Sequence, residues 1–209
     1  MRTCATIIAG AILAGGKGSR IGGAKAMAPL LGMPMIAHVA AILRGAATPI
    51  AIIGDEAAAC VVGSPFLADV TPGRVGPLAG LLTALEWAER EGASWLTLAP
   101  CDAPLLPHDV FARLLTAAGS DAPAAYAVTA EGPEPLVSVW RIDTLSAVRA
   151  AALSEYPAIW SLADRLRAIP VRFDSADDFL NVNSPEDLAR AEQLLSSRGF
   201  APAQPPRQS

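Results

Sequence analysis

No run of Lys or Arg occurs in this chain; charged residues of both signs fill only 17% of its 209 positions, and the formal net charge is −4. A protein that tracks a nucleic-acid backbone needs a clustered basic surface, so nucleic acid is excluded as a partner. Cysteine is also scarce. Cys4, Cys60 and Cys101 are far apart, odd in number and without a CxxC spacing. That pattern argues against a disulfide framework and for a reducing compartment, with all three expected as buried thiols. Cys101 has no histidine near it in sequence and is not read as a nucleophile. The only histidines, His38 inside an apolar run and His108 after Pro107, read as packing or capping residues rather than bases.

Long apolar runs are missing too. The uncharged stretch from Thr3 to Gly16, behind Arg2, imitates a secretory leader with a cleavage point near Ala9-Gly10-Ala11, but cleavage there would remove a strand that leads into a glycine-rich loop. The next uncharged stretch, Ala26 to Leu43, is interrupted by Pro29 and Pro34, and neither stretch supplies the roughly 20 apolar residues of a membrane span. A cytoplasmic protein with no membrane contact is expected.

Hydrophobic residues make up 52% of the chain, which implies a large core for its length. One domain over residues 1–198 is expected, followed at 199–209 by a Pro- and Gln-rich tail without structure. Within the domain, Ala5 to Leu13 reads as a buried strand. Pro34 opens a helix that runs through Leu43 and stops at Gly45, and Thr48 to Ile53 reads as a second strand. Leu78, Leu81, Leu82 and Leu85 carry helical spacing, and Trp95 to Ala99 is a strand expected near the centre of the sheet. Pro107 to Ala118 is read as a helix. Ala122 to Thr129 and Leu136 to Trp140 are read as strands joined through the turn-rich Glu131-Gly132-Pro133-Glu134-Pro135, and are expected to form the antiparallel part of the sheet. Ile169 to Phe173 and Phe179 to Val182 are short strand candidates. Ser184-Pro185-Glu186-Asp187 has the Ser cap, N1 proline and acidic first turn of a helix start. Alternating strands and helices predict a mostly parallel sheet covered on both faces.

The segment Leu13 to Lys25 holds five glycines and three cations, Lys17, Arg20 and Lys25, directly behind the first strand. Glycines let backbone amides approach an oxyanion, and the cations neutralise its charge, so the segment reads as a phosphate-holding loop. Two familiar phosphate loops fail on register. A P-loop ending in Gly16-Lys17 would begin at Ala11 instead of Gly, with Gly18 where the metal-binding hydroxyl belongs. The dinucleotide fingerprint would place its third glycine at Ile21, and positions 36 to 43 lack its acidic residue. Both failures weigh against an oxidoreductase and leave a small nucleotide as the ligand.

Asp102, in Pro100-Cys101-Asp102-Ala103-Pro104, follows the carboxyl end of the strand expected near the centre. In open α/β sheets ligands bind at that edge, and Mg²⁺ commonly takes only one or two carboxylates beside phosphate oxygens and water.

Taken together, Leu13 to Lys25, Asp69, Gly76-Pro77-Leu78-Ala79-Gly80, Pro100 to Pro104, Glu134-Pro135-Leu136 and Asn181-Val182-Asn183-Ser184-Pro185-Glu186-Asp187-Leu188 occur in an order that resembles the molybdenum-cofactor guanylyltransferases across nearly the whole chain. The resemblance implies a single-domain, three-layer Rossmann-like nucleotidyltransferase fold of the α/β class. It further implies transfer of GMP from GTP to molybdopterin with release of pyrophosphate, and Mg²⁺ as cofactor. By the same resemblance Leu13, Ala14, Gly15, Gly16, Lys17, Asp69, Gly76, Pro77 and Leu78 bind the nucleotide. Lys25 and Arg20 act on its phosphates, Asp102 holds the metal, and Asn181 and Asn183 stand on the pterin side. The Gly15-Gly16 pair and the Gly76 to Gly80 segment favour GTP over CTP. The sequence departs from the family pattern at Ala24, where an Asp commonly precedes the lysine, and at Ile53-Gly54-Asp55, where an Asn is usual. Proteins that deliver or receive the cofactor are implied as further partners. The competing readings are a cytidylyltransferase, a nucleotidyltransferase acting on a sugar phosphate, and a non-catalytic GTP-binding module.

Overall fold

A computed structural model describes residues 6–15, 25–68, 76–153 and 158–200. Cys4, Gly16, Lys17, Arg20, Ala24, Asp69 and the stretch 201–209 lie outside the described residues.

The chain begins with β1 (Ile8–Leu13) and, after a tight hairpin of β2 (Pro29–Leu30) and β3 (Met33–Pro34), enters α1 (Met35–Arg44). It continues through β4 (Ile50–Ile53), α2 (Glu56–Val62), β5 (Phe66–Leu67), α3 (Pro77–Arg90) and β6 (Trp95–Pro100). Next come α4 (Val110–Ala118), β7 (Ala124–Val128), β8 (Pro133–Arg141), α5 (Leu145–Leu153), α6 (Ile159–Arg165), β9 (Ile169–Arg172) and α7 (Pro185–Ser197). Seven strands form one sheet in the order β5-β4-β1-β6-β8-β7-β9. All pairings are parallel except the two made by β8, which alone runs against its neighbours. The antiparallel departure is therefore one strand rather than a β7–β8 pair set apart.

Each strand residue sends its side chain to one face or the other, and the two faces build two cores. Ile12 packs with Ile36 and Val39 of α1, Ala58 and Val62 of α2, and Phe111 and Leu114 of α4. Ala9 and Ala11 pack instead with Leu81 and Leu85 of α3, Val148 of α5 and Leu162 of α6. The three layers follow from this alternation. Small residues on β1 let helices approach closely: a Cβ on Gly10 would lie 2.8 Å from Ile50 Cγ2 and 2.9 Å from Leu43 Cδ2. A third, smaller cluster joins Leu30, Met35, Leu105 and Val182 to Ala191 and Leu195 of α7, which ties the C-terminal helix to the hairpin.

Several boundaries differ from those read in the sequence. Pro34, with φ −56° and ψ 137°, is the extended residue before α1 rather than its first residue. Pro107 to Asp109 form a turn, closed by Val110 N–H donating to Pro107 O, before α4 starts. Pro133, Glu134 and Pro135 belong to β8, because the turn is closed earlier by reciprocal Thr129 and Gly132 backbone bonds of 2.9 and 3.3 Å. Phe179 to Val182 is not a strand. Ala176–Phe179 is a 3₁₀ turn, and Val182 N–H donates to Asp102 O at 2.8 Å instead of to a sheet neighbour. Cys60 is exposed on α2, contrary to expectation, whereas Cys101 is buried. Helices α2, α5 and α6 and the short strands β2, β3 and β5 were not anticipated. Among the described residues no helix is long and apolar enough to cross a membrane.

Candidate active site

The chain leaves β1 to build α1 and β4 on one side, and later returns through α3 to β6 on the other side. The crevice at such a reversal, beyond the carboxyl ends of the strands, is where open α/β sheets bind ligands. Leu13 and Pro100 are register partners at the ends of β1 and β6, and Cys101 N–H donates to Leu13 O at 3.0 Å. Gly15 and Asp102 both stand two residues beyond that pair, so the glycine loop and the carboxylate open into the same crevice.

Ala14 is held by an N–H bond to Ile53 O of 2.8 Å, which aligns the chain leaving β1 with the end of β4. Gly54 then crosses close to Gly15: a Cβ there would stand 2.8 Å from Gly15 Cα, and its φ is +89°. Gly80 on α3 lies against Leu13, whose Cδ2 would be 2.7 Å from an added Cβ. This contact brings Gly76, Pro77 and Leu78, at the start of α3, to the β1 side of the crevice. Asp55, next to Gly54, is occupied as a helix cap and accepts Ala58 N–H at 3.0 Å.

Lys25 brings the other groups together. Its Nζ lies 2.5 Å from Asp102 Oδ2 and 2.5 Å from Asn183 Oδ1, so residues 77 and 158 positions away meet at one ammonium. The pair is half-buried, with 17% and 20% of the Lys25 and Asp102 side chains exposed. Asn183 Nδ2 donates to Asn181 O at 3.2 Å. Between the two asparagines, Val182 is fully buried, so an extended backbone anchored by one apolar side chain positions the flanking residues. α7 fixes that segment from its other end: Ser184 caps Asp187 N–H, while the Asp187 carboxylate accepts from the N–H groups of Asn183 and Ser184 at 2.9 Å each. The backbone bond to Asn183, and then the Ser184 hydroxyl, hold Asp187 below the usual carboxylate range.

Two further acids or thiols respond to the crevice. Burial, reinforced by Asp102 beside it, pushes the Cys101 thiol up to about 12, so it is neutral and inert at ordinary pH. Burial also raises the Glu134 carboxyl, against the lowering effect of a hydrogen bond from Asn181, and negative Glu131 and Asp102 add to the rise. Glu134 was visible only as part of the Glu-Pro-Leu motif and received no role from sequence. A carboxylate at the head of an otherwise apolar strand is the signal that could have singled it out. His38 matches its structural reading: it is buried and its Nε2 meets Leu30 O at 2.9 Å.

Two hard oxygens, one carboxylate and one amide, thus converge on a single cation. Among the described residues there is no group of three or more His, Cys, Asp and Glu that could chelate a metal by itself. This sparse oxygen set fits an ion such as Mg²⁺, which completes its shell with phosphate and water, and not a thiolate- or imidazole-loving metal.

A switch-point crevice with a glycine loop on one strand and a carboxylate on the next defines an α/β nucleotide-handling protein. Residues 10–169 match the MobA-like NTP transferase domain, and the chain belongs to that family. It is 39% identical over 192 residues to a molybdenum cofactor guanylyltransferase of Rhodobacter capsulatus, covering 90% of this chain and 96% of that one. A protein of the same name from Rhizobium meliloti is 36% identical over 212 residues, covering 91% and 93%. Among solved structures, molybdopterin-guanine dinucleotide biosynthesis protein A from Archaeoglobus fulgidus superimposes with a TM-score of 0.68 at 25% identity, covering 90% of this chain and 99% of that one. CMP:2-keto-3-deoxy-manno-octonic acid synthetase, at 15% identity and a TM-score of 0.71 over 92% and 100% of the two chains, shares the fold.

Proposed function

We propose that this chain transfers GMP from GTP to molybdopterin, releasing pyrophosphate and forming molybdopterin guanine dinucleotide. The observation that carries the reading is the meeting of Lys25, Asp102 and Asn183 at the switch point, in a chain whose relatives bear that name. In this reaction the terminal phosphate of molybdopterin attacks the α-phosphorus of GTP, and the bond to the departing pyrophosphate breaks. No protein nucleophile is needed, so the residues act by positioning and charge neutralisation. Leu13, Ala14 and Gly15, with Gly16, Lys17 and Asp69, bind the nucleotide from the β1 side, and Gly76, Pro77 and Leu78 close over it from α3. Lys25 and Arg20 neutralise charge that develops on the phosphates. Asp102, with the Asn183 oxygen aimed at the same point, holds Mg²⁺, and Asn181 and Asn183 face the pterin substrate. When bound, the ion supplies Lewis-acid stabilisation of phosphate charge. Proteins that deliver molybdopterin or take up the product are the expected partners, and the reaction belongs to the cytoplasm.

Pyrophosphate release measured with molybdopterin, Mg²⁺ and each of GTP, CTP, ATP and UTP tests the proposal. Release with GTP alone is expected. Release with CTP alone would make the chain a cytidylyltransferase, and GTP binding without any release would make it a binding module.

A further inference from the structure

Glu134 is half-buried at the head of β8, opposite Ala127, where the β7–β8 register shifts. Its carboxylate accepts a hydrogen bond from the Asn181 side chain, and Asp102 and Glu131 are its charged neighbours. Among the described residues no cation pairs with it. A carboxylate offers about four acceptor sites, so one amide leaves it largely unsatisfied. An anion withdrawn from water among other anions is costly unless a ligand brings donors to it.

We infer that Glu134 recognises the pterin of the acceptor by accepting the two adjacent N–H donors of its 2-amino-pyrimidin-4-one edge. The inference rests on the proposed guanylyl transfer to molybdopterin. Two neighbouring N–H groups on a planar ring match a carboxylate as the fork of a guanidinium does. Guanine presents the same edge, but place separates the two. Gly15, Gly54 and Gly80 crowd the ends of β1 and β4, whereas Glu134 lies across β6, on β8, beside Asn181. A nucleotide held by the β1 loop leaves the β8 side of Asp102 to the acceptor.

The test uses the full chain and Glu134→Gln, which keeps an acceptor for Asn181 but replaces the second oxygen with an N–H donor. The variant should raise KM for molybdopterin about 10- to 100-fold while leaving KM for GTP and kcat within about threefold. In parallel, binding of pterin and of lumazine, which carries oxygen in place of the 2-amino group, is followed by ligand fluorescence. The wild type should prefer pterin by about 10-fold or more, and Glu134→Gln should lose the preference. Glu134→Asp keeps the charge and should keep the preference; its loss there would assign the effect to packing and overturn the proposal. A rise in KM for GTP alone would make Glu134 a reader of guanine, and unchanged constants for both substrates would leave it reading neither. Either result overturns the inference while wild-type turnover upholds the guanylyltransferase reading. A wild type that fails to turn over molybdopterin refutes that reading instead, and the pterin–lumazine comparison still decides what Glu134 recognises.

Discussion

Gly54 and Gly15 meet backbone to backbone across the β1–β4 edge of the crevice, so close that a Cβ on Gly54 would lie 2.8 Å from Gly15 Cα and 2.9 Å from its nitrogen. Neither atom belongs to a side chain that could swing away, and the φ of +89° strains any residue with a Cβ. Gly54→Ala should therefore destabilise the fold by at least about 1–3 kcal/mol and push the nucleotide loop outward. Urea denaturation and GTP titration of the variant check the two effects, and wild-type values in both would refute the constraint.

Lys25 and Asp102 should prove more important for turnover than for folding. Their contact is partly exposed, and ion pairs of that kind contribute little to stability. Lys25→Ala and Asp102→Ala are expected to lower kcat by about 10²- to 10³-fold, as loss of a preorganised charge contact does. Asp102→Ala should in addition raise the Mg²⁺ concentration needed for half-maximal rate. Steady-state pyrophosphate release at varied Mg²⁺, with far-UV circular dichroism as the folding control, measures both.

The capping box of α7 makes a pH-dependent prediction. Asp187 is held below the usual carboxylate range in the folded chain, so its contribution is complete above the unfolded carboxyl's pKa and is lost as pH falls through the lower, folded value. Wild type should exceed Asp187→Asn in stability at pH 7, and the gap should close on acidification. Ser184→Ala should cost about 1 kcal/mol. Because the box also grips the Asn183 backbone, both variants should weaken acceptor binding as well as the helix. Denaturant midpoints from pH 7 downward give the first comparison, and KM for molybdopterin gives the second.

Thiol reactivity separates the cysteines. In a Cys4→Ser background, a disulfide reagent at neutral pH should modify exposed Cys60 and leave Cys101 untouched, since burial keeps the Cys101 thiol near about 12 and out of reach. Cys101 should react once the protein is unfolded. Two fast-reacting thiols in the native variant would contradict the burial.

Local chemistry made much of this legible from residues alone. The uncharged run through Ile12 could only be a strand buried on both faces, the leucine spacing from Leu78 to Leu85 dictated α3, and Ser184 to Asp187 spelled out a cap that the fold reproduces. Asp102 was recognisable because a carboxylate at the end of an apolar strand has few other uses. By itself, then, the sequence determined the layers, the mostly parallel sheet and the nature of the crevice's chemistry, since each depends on periodicity or on a few adjacent residues. Tertiary structure decided the rest. Strand order, the isolation of β8 as the lone reversed strand, the abutment of Gly54 on Gly15 and the meeting of Lys25, Asp102 and Asn183 all join positions distant in the chain. No local spacing encodes such contacts. They arise where two buried sheet faces and the apolar anchor at Val182 leave the backbone only one way to pack.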